Sequence, residues 1–298
     1  MKRLRPHLWL AWLLAVTLAP GSAQDAFPPE IPAGELVRLT VQNEVRAADQ
    51  EPLKHFFRSR RQTPKGSQTR LYVETNQAMA GMLVAVNDRP LPPEQRQAEI
   101  NHLNWLAGDA DALRKKRAHE KDDADRTLRI VKALPEAFRY DYAGSENGTA
   151  DLGEPGSQLV RLKFGPNPSY SPPSRVEQVL AGMNGYLLID AQARRFARID
   201  GTLFRDVSFG WGLVGHLDKG GHFRVQQADV GEGNWEITEM SLSLTGKILL
   251  FKSLNMISEE VFSDFRPVTP HLTFAQGADL LKVEEEKLAR SGSPGTTP

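Results

Sequence analysis

The fold is decided by the second half of the chain, where strand-like runs follow one another with short turns between them. These runs are YLLID (186–190), RFARID (195–200), TLFRDVSF (202–209), FRVQQADV (223–230), WEITEMSLSL (235–244) and KILLFK (247–252). Turn-forming residues separate them at 191–193, Gly201, 218–221, 231–234 and Thr245-Gly246. Strands that are adjacent in sequence and joined by short turns pair in an antiparallel manner. Residues 186–252 therefore predict one continuous antiparallel meander.

Within this stretch, Gly210, Gly212 and Gly215 match the G-x-G-x-x-G spacing of a dinucleotide-binding turn. That motif works because its glycines join a strand to a helix whose N-terminus receives the pyrophosphate. Here Gly220-Gly221 would end any helix before it completes two turns, and no parallel crossover follows. The sequence therefore favours bends of a curved sheet over a nucleotide site, and no cofactor is expected.

Outside the meander, the chain alternates between strand-like and helical patterns. Further strands are predicted by KHFFRSRR from Lys54, TRLYVET from Thr69, MLVAV from Met82 and the alternating apolar residues at 138–142 and 160–164. Helices are predicted over 35–50, about 93–118, 122–133 and 274–290. The mixed charges of RKKRAHEKDDADR indicate a solvated helix face instead of a binding patch. Together these elements predict an α+β fold.

The start of the chain has the pattern of an export signal. A basic MKRLRPH precedes the apolar run LWLAWLLAVTLA at 8–19, and small residues follow in PGSAQD. This run is shorter than the ~20 residues that a membrane-spanning helix needs. We therefore predict a signal peptide over residues 1–23, cleaved after Ala23, and an exported mature protein.

Composition argues against several classes of function. The chain has no cysteine, so neither a disulfide scaffold nor a thiolate metal site is possible. The 37 basic residues fall by three when residues 1–23 are removed, whereas all 37 acidic residues remain. Surfaces that follow nucleic acid phosphates need a local excess of Lys and Arg, so nucleic acid is not expected as a partner.

No pattern of catalytic residues stands out. The chain lacks H-E-x-x-H, G-x-S-x-G and S-x-x-K signatures, and His216 and His222 flank a turn, as a surface pair would. Asp200 and Asp206 lie on either side of a predicted hairpin, where carboxylates organise turns. We therefore expect neither enzymatic activity nor a metal site.

The apolar residues of the meander leave two alternatives open. Runs such as 187–189 and 248–251 put bulky side chains on both faces of their strands. A sheet covered by helices would bury them as ordinary core. A sheet around a lipid-sized cavity would use them as its lining.

Residues 184–254 resemble the later strands of outer-membrane lipoprotein-sorting proteins, the LolA/LolB-like superfamily that includes the sensor domain of RseB-type regulators. The matching features are ARIDG at 197–201, the KGG turn at 219–221, W-x-I-x-x-M-x-L-x-L from Trp235 and T-G-K from Thr245. With FGPNPSYSPP at 164–173, the chain is also similar to a group of exported acidobacterial proteins. The resemblance implies an open, strongly curved antiparallel sheet of about eleven strands, a half-barrel covered by helices, whose cavity accepts acyl chains.

The expected organisation is a signal peptide (1–23), a flexible segment (24–33), one LolA-like domain (34–290) with a helical segment at about 92–133, and a flexible tail (291–298). The resemblance implies a monomeric, non-catalytic periplasmic carrier of lipids or lipoprotein acyl chains. Two alternatives stay open: a sensor or scaffold that binds an envelope protein through the same fold, and a hydrolase. The candidate cavity-lining residues are Leu187, Ile189, Leu203, Val207, Phe209, Trp211, Trp235 and Ile237.

Overall fold

A computed structural model of the 298-residue chain describes residues 31–50, 53–209, 215–248 and 252–291. The predicted signal peptide, its cleavage site and most of the two segments expected to be flexible lie outside these residues. The helices are α1 (Ala33–Ala48), α2 (Pro93–Gly108), α3 (Ala110–Ala137), α4 (Arg175–Gln178) and α5 (Phe274–Ser291). The strands are β1 (His55–Thr63), β2 (Gly66–Val73), β3 (Ala80–Val86), β4 (Arg89–Pro90), β5 (Phe138–Asn147), β6 (Gln158–Pro166), β7 (Met183–Asp190), β8 (Arg195–Leu203), β9 (Val207–Phe209), β10 (Gly215–Leu217), β11 (His222–Asp229), β12 (Trp235–Ile248) and β13 (Lys252–Pro267).

These strands form one large antiparallel sheet, which confirms the predicted α+β class. Its main path runs β4-β3-β2-β1-β13-β12-β11-β8-β7-β6-β5, with β10 paired to β12 and β9 paired to β10. The path begins at β4 and ends at β5, so the sheet is not closed, and it is not strongly curled either. The strongly curved half-barrel implied by the resemblance is therefore corrected to a large open sheet. The pairing of His55 with Pro267 joins the first strand to the last one.

The two faces of the sheet carry helices at opposite ends. α1 and α3 pack against β5, and α1 also packs against β8, whereas α2 and α5 pack against β3. Residues directly opposite each other in an antiparallel pair point to the same face. The pairs Leu187–Ile199, Ile199–Val225 and Val225–Met240 therefore trace one face across the sheet, here called the α1 face. The face beneath α2 and α5 is called the α5 face.

The α1 face carries the largest apolar core, here called the main core. Helix α1 contributes Leu36, Val37 and Val41, and the sheet contributes the fully buried Leu162 and Leu187. The predicted alternation of β5 is confirmed, because Phe138 is buried in this core while Tyr140 and Tyr142 pack against it from the same face. Their hydroxyl groups donate hydrogen bonds of 2.7 Å to the carbonyl oxygens of Leu134 and Ile31. The aromatic side of β5 thus anchors both α1 and α3.

A second core lies on the α5 face at the other end of the sheet. Leu71, Val73 and Met82 of β2 and β3 are buried there against Phe274 and Leu281 of α5. Helix α2 adds Leu103 and Leu106 to the same cluster. The apolar spacing of Leu103 and Leu106 is that of one helix face, as the sequence predicts. Each half of the sheet is therefore stabilised by helices on a different side.

The helical region at about 92–133 consists of two helices, but the break between them is not where the sequence pattern placed it. The break falls at Asp109, whose side chain accepts hydrogen bonds from the backbone N–H groups of Asp111 and Ala112 at 3.0 and 2.9 Å. This is an N-cap, which starts a helix by satisfying its first donors. The expected break near residue 120 is wrong, because ion pairs such as Lys116–Glu120 and Lys121–Asp125 support a continuous helix there.

The expected turn at Thr245-Gly246 is also wrong, because β12 continues through it to Ile248. Gly246 pairs with both Leu254 and Leu217, and a Cβ atom at this position would lie 2.1 Å from the carbonyl oxygen of His216. The glycine therefore lets β10 approach β12. Gly215 starts strand β10 instead of a helix, which contradicts a dinucleotide-binding turn at this glycine. Gly210 and Gly212 lie outside the described residues.

Candidate functional site

Most of the residues nominated from the sequence lie together in the main core. Leu187, Ile189, Leu203 and Val207 are 1%, 0%, 0% and 7% exposed, and all four belong to this cluster. Phe209 is partly buried and packs against it. The structure thus brings these five residues together, and their role as cavity lining stays a prediction.

The other nominated residues lie elsewhere. Trp235 packs against a small cluster on the far side of β7, and the Arg195 guanidinium lies 5.4 Å from its ring centroid. Ile237 is 36% exposed and lines a separate cavity. Trp211 lies outside the described residues.

The cavity beside Ile237 is the candidate site, here called the aromatic pocket. Its volume is about 310 Å³, and its wall is formed by Phe57, Tyr72, Glu74, Met79, Glu236, Ile237, Glu260, Phe262 and Phe265. Phe57 is the central ring of the aromatic wall. Its ring centroid lies 5.2 Å from that of Tyr72, 5.5 Å from that of Phe265 and 6.1 Å from that of Phe262. An aromatic wall with a few polar groups is typical of a site for an apolar ligand.

Local sequence explains why these rings meet. Phe57 pairs directly with Tyr72, and Tyr72 pairs with Gly81 on the next strand. A Cβ atom at Gly81 would lie 2.6 Å from the Tyr72 ring, so only glycine lets the ring lie over β3. On the other side of β1, Phe262 pairs with Ser59, which shares a face with Phe57. Burial raises the pKa of the Tyr72 hydroxyl.

The aromatic pocket lies on the α1 face and is joined to the main core by apolar side chains. Met240 pairs with Glu260 of the pocket wall on one side and with Val225 on the other. Leu242 pairs with Phe223, which packs against the main core. Met240 is 40% exposed, so this connecting strip of the sheet is not fully covered. Pocket and core are therefore two parts of one apolar surface.

Charged side chains lie at both ends of the aromatic pocket. Glu74 and Glu236 form part of its wall near the start of β1. Arg61 and Arg70 lie further along β1 and β2, close enough to Tyr72 to lower the pKa of its hydroxyl, although burial has the larger, opposite effect. Glu260 of the pocket wall pairs with Arg61, so this end carries two arginines and one carboxylate, whereas the other end carries Glu74 and Glu236.

His55 lies at the acidic end and is almost fully buried, with 3% of its surface exposed. Its Nδ1 atom is 3.2 Å from Glu236 Oε1 and 3.8 Å from Glu74 Oε2. Its backbone N–H donates a 2.8 Å hydrogen bond to Glu74 Oε2. The side-chain interaction with Glu236, opposed by burial, raises the pKa of His55, and burial together with Glu236 raises the pKa of Glu74.

Sequence reasoning missed most of the aromatic pocket because its residues come from opposite ends of the chain. Phe57 is in the first strand and Phe262 in the last, and the pairing of these strands has no local signal. The available signal was the consecutive Phe56-Phe57, since neighbouring residues of a strand point to opposite faces. Phe56 enters the second core and Phe57 the pocket.

The solved structures that are similar to this chain include two of low sequence identity. One is a provisionally named outer membrane lipoprotein-sorting protein domain from Vibrio parahaemolyticus, with 12% identity, a TM-score of 0.29, and coverage of 82% of this chain and 97% of that one. The other is a DUF1329 family protein from Desulfovibrio piger, with 12% identity, a TM-score of 0.27, and coverage of 82% and 96%. At these TM-scores, neither similarity supports a conclusion about the site of this chain.

No family model matches the chain, and no curated protein sequence matches it. Among the described residues, no helix is both long and apolar enough to cross a membrane. The function is therefore inferred from the chain's own residues.

Proposed function

We propose that the protein is a non-catalytic periplasmic carrier that binds an acyl chain of a lipid or lipoprotein in the aromatic pocket. The observation that supports this function is the pocket itself: four aromatic rings, Met79 and Ile237 surround a cavity on an incompletely covered sheet face. An exposed apolar surface of this kind stabilises the protein less than a buried one would, and it is typical of a binding site.

The binding energy would come from removing the chain from water. Each buried methylene contributes about 0.8 kcal/mol, so ten would contribute about 8 kcal/mol before the entropy lost on association. The strip from Met240 to Phe223 offers a path along which a longer chain could extend toward the main core. Five residues nominated from the sequence would line the far end of this path if α1 moved away from the sheet. They are Leu187, Ile189, Leu203, Val207 and Phe209.

The charged ends of the pocket suggest an orientation for the ligand. Arg61 and Arg70 outnumber Glu260 at one end and would attract an anionic head group, whereas Glu74 and Glu236 at the other end would repel it. The acyl chain would then lie across Phe57 with its head group toward the arginines.

Native mass spectrometry of the protein purified from the periplasm under mild conditions tests the carrier function. We expect a fraction of the molecules to carry an added mass that is identified as lipid or acylated peptide after release. Protein that is free of lipid, and that also fails to take up a fluorescent acyl probe, would contradict the proposal. The mature protein in the same sample should begin at Gln24 and be monomeric.

A sensor or scaffold that binds an envelope protein is the second candidate. It is favoured by Trp105 and Val283, which are 53% and 50% exposed on two helices that pack against each other. Exposed large apolar side chains of this kind are common at protein interfaces. Trp105→Ala would impair complex formation but leave lipid binding intact if this surface, and not the pocket, carries the function.

A further inference from the structure

The acidic end of the aromatic pocket contains a group of side chains that the sequence does not place together. His55 starts β1, Glu74 follows β2, and Glu236 lies at the start of β12. One ligand atom from each lies within 4.8 Å of the other two. The chain brings them together through the β1–β2 hairpin and the β12–β13–β1 pairing.

The His55 side chain is aimed into this group without a proper hydrogen bond. Although Nδ1 is 3.2 Å from a Glu236 oxygen, it has no hydrogen-bond partner of acceptable geometry among the described residues, and the atom itself is buried. A buried nitrogen of this kind ordinarily finds a partner. Two carboxylates also converge on it, and their mutual repulsion favours a positive charge between them, which a protonated His55 or a bound cation would supply.

We propose that His55, Glu74 and Glu236 form a binding site for a divalent transition-metal ion, of which Zn²⁺ is the best example. Bonds of about 2.0–2.2 Å from zinc to nitrogen and oxygen place tetrahedral ligands about 3.3–3.5 Å apart. The distances of 3.2 and 3.8 Å from Nδ1 to the two carboxylates are close to that spacing. The imidazole ligand favours zinc over Mg²⁺ or Ca²⁺, which prefer oxygen.

The surroundings provide both a support and an entry path for the ion. The backbone N–H of His55 holds Glu74 Oε2 at 2.8 Å, which orients the carboxylate as partners outside the ligand set do in metal sites. Glu74 and Glu236 line the aromatic pocket and also a second cavity of about 460 Å³ beside Trp235. An ion could therefore enter from that second cavity. Three protein ligands leave a fourth position for water or a ligand atom.

Calorimetric titration with Zn²⁺ tests the site, using purified protein that has been treated with a chelator and contains no acyl ligand. We expect one saturable site per chain for the native sequence and at least about tenfold weaker binding for His55→Ala and Glu236→Gln. Mg²⁺ should bind much more weakly than Zn²⁺. His222→Ala is the matched control, because its imidazole also contacts a carboxylate, Asp200, but lies on the α5 face. This variant should bind Zn²⁺ as the native protein does.

Circular dichroism of each variant without zinc separates loss of the site from loss of the fold. If His55→Ala unfolds the protein because His55 is buried, the test uses Glu236→Gln alone, since the Glu236 side chain is 26% exposed. The proposal is overturned if the native protein shows no saturable binding, or if Glu236→Gln binds Zn²⁺ as tightly as the His222→Ala control does. Neither result bears on the carrier function, since acyl binding is measured in zinc-free buffer.

Discussion

The main core and the aromatic pocket lie on the same face of one sheet, yet they differ in what covers them. Over β5 and β8, α1 and α3 close the surface, and residues such as Leu187 and Ile189 are almost completely buried. Over β1 and β13, the rings of Phe57, Phe262 and Phe265 surround a cavity, while α2 and α5 pack against the opposite face. The position of the helices, more than the composition of the strands, decides which apolar residues become core and which can bind a ligand.

The largest effect is expected for a core substitution. Leu187→Ala removes a side chain that is 1% exposed and should lower the free energy of unfolding by about 2–5 kcal/mol, because it leaves a cavity in packed surroundings. Urea unfolding measures this change. Uptake of a short acyl probe, which fills only the aromatic pocket, should be unchanged in the remaining folded protein. A loss of uptake without a loss of stability would instead make Leu187 part of a binding cavity.

The pocket should show the opposite behaviour. Phe262→Ala removes a partly exposed ring from the wall and should weaken binding of a fluorescent acyl probe about tenfold or more, since a phenyl side chain contributes about 1.5–3 kcal/mol of burial. Its effect on stability should be smaller than that of Leu187→Ala.

Val261→Ala is the matched control for this experiment. Val261 is the neighbouring residue on β13, is 52% exposed, and points to the α5 face through its pairing with Arg60. Neither binding nor stability should change by more than a few tenths of a kcal/mol. Equal loss of binding in both variants would show that the probe does not occupy the aromatic pocket.

The contrast between core and pocket also explains how far the sequence alone could predict the molecule. The meander from Tyr186 onward and the aromatic face of β5 follow from local alternation, because period-two patterns depend only on neighbouring residues. The choice between core and cavity depends on where α1 packs, which no local pattern specifies. The contact of Phe57 with residues of β13 depends on the topology of the whole sheet. Ile237 was therefore the one residue of the pocket nominated from the sequence, and the four aromatic residues of its wall were not.

A smaller effect is expected from the positive end of the pocket. Arg70→Gln should weaken binding of acyl probes with an anionic head group several-fold, because an exposed charge contributes about 1 kcal/mol or less. Binding of probes with a neutral head group should not change, and added salt should reduce the difference. Arg58→Gln serves as the control, since the Arg58 side chain is 37% exposed and forms an ion pair with Asp264 on the other face of β1. Equal effects of the two substitutions would argue against the proposed orientation.

The smallest effect is expected on the α5 face of the central strands, which carries charges where the α1 face carries apolar side chains. Asp200 lies 2.8 Å from Arg224 Nε and 3.0 Å from His222 Nε2. Burial alone would raise the pKa of Asp200, but Arg224 and His222 together hold it below its usual range. A lowered pKa in the folded state stabilises the protein above the unfolded pKa of about 3.9, and this stabilisation is lost as the pH falls through the folded pKa.

Asp200→Asn should therefore lower the free energy of unfolding at pH 7 by about 1 kcal/mol or less, since the pair is partly exposed to solvent. The difference between native protein and variant should begin to shrink as the pH falls below about 4, where the Asp200 carboxyl of the unfolded chain becomes protonated, and it should be lost only below the lowered pKa of the folded state. Urea unfolding across this pH range measures it, and acyl binding at pH 7 should be the same in both proteins. A loss of acyl binding in Asp200→Asn would mean that the two faces of the sheet are coupled, and the separation of a binding face from a charged face would then not hold.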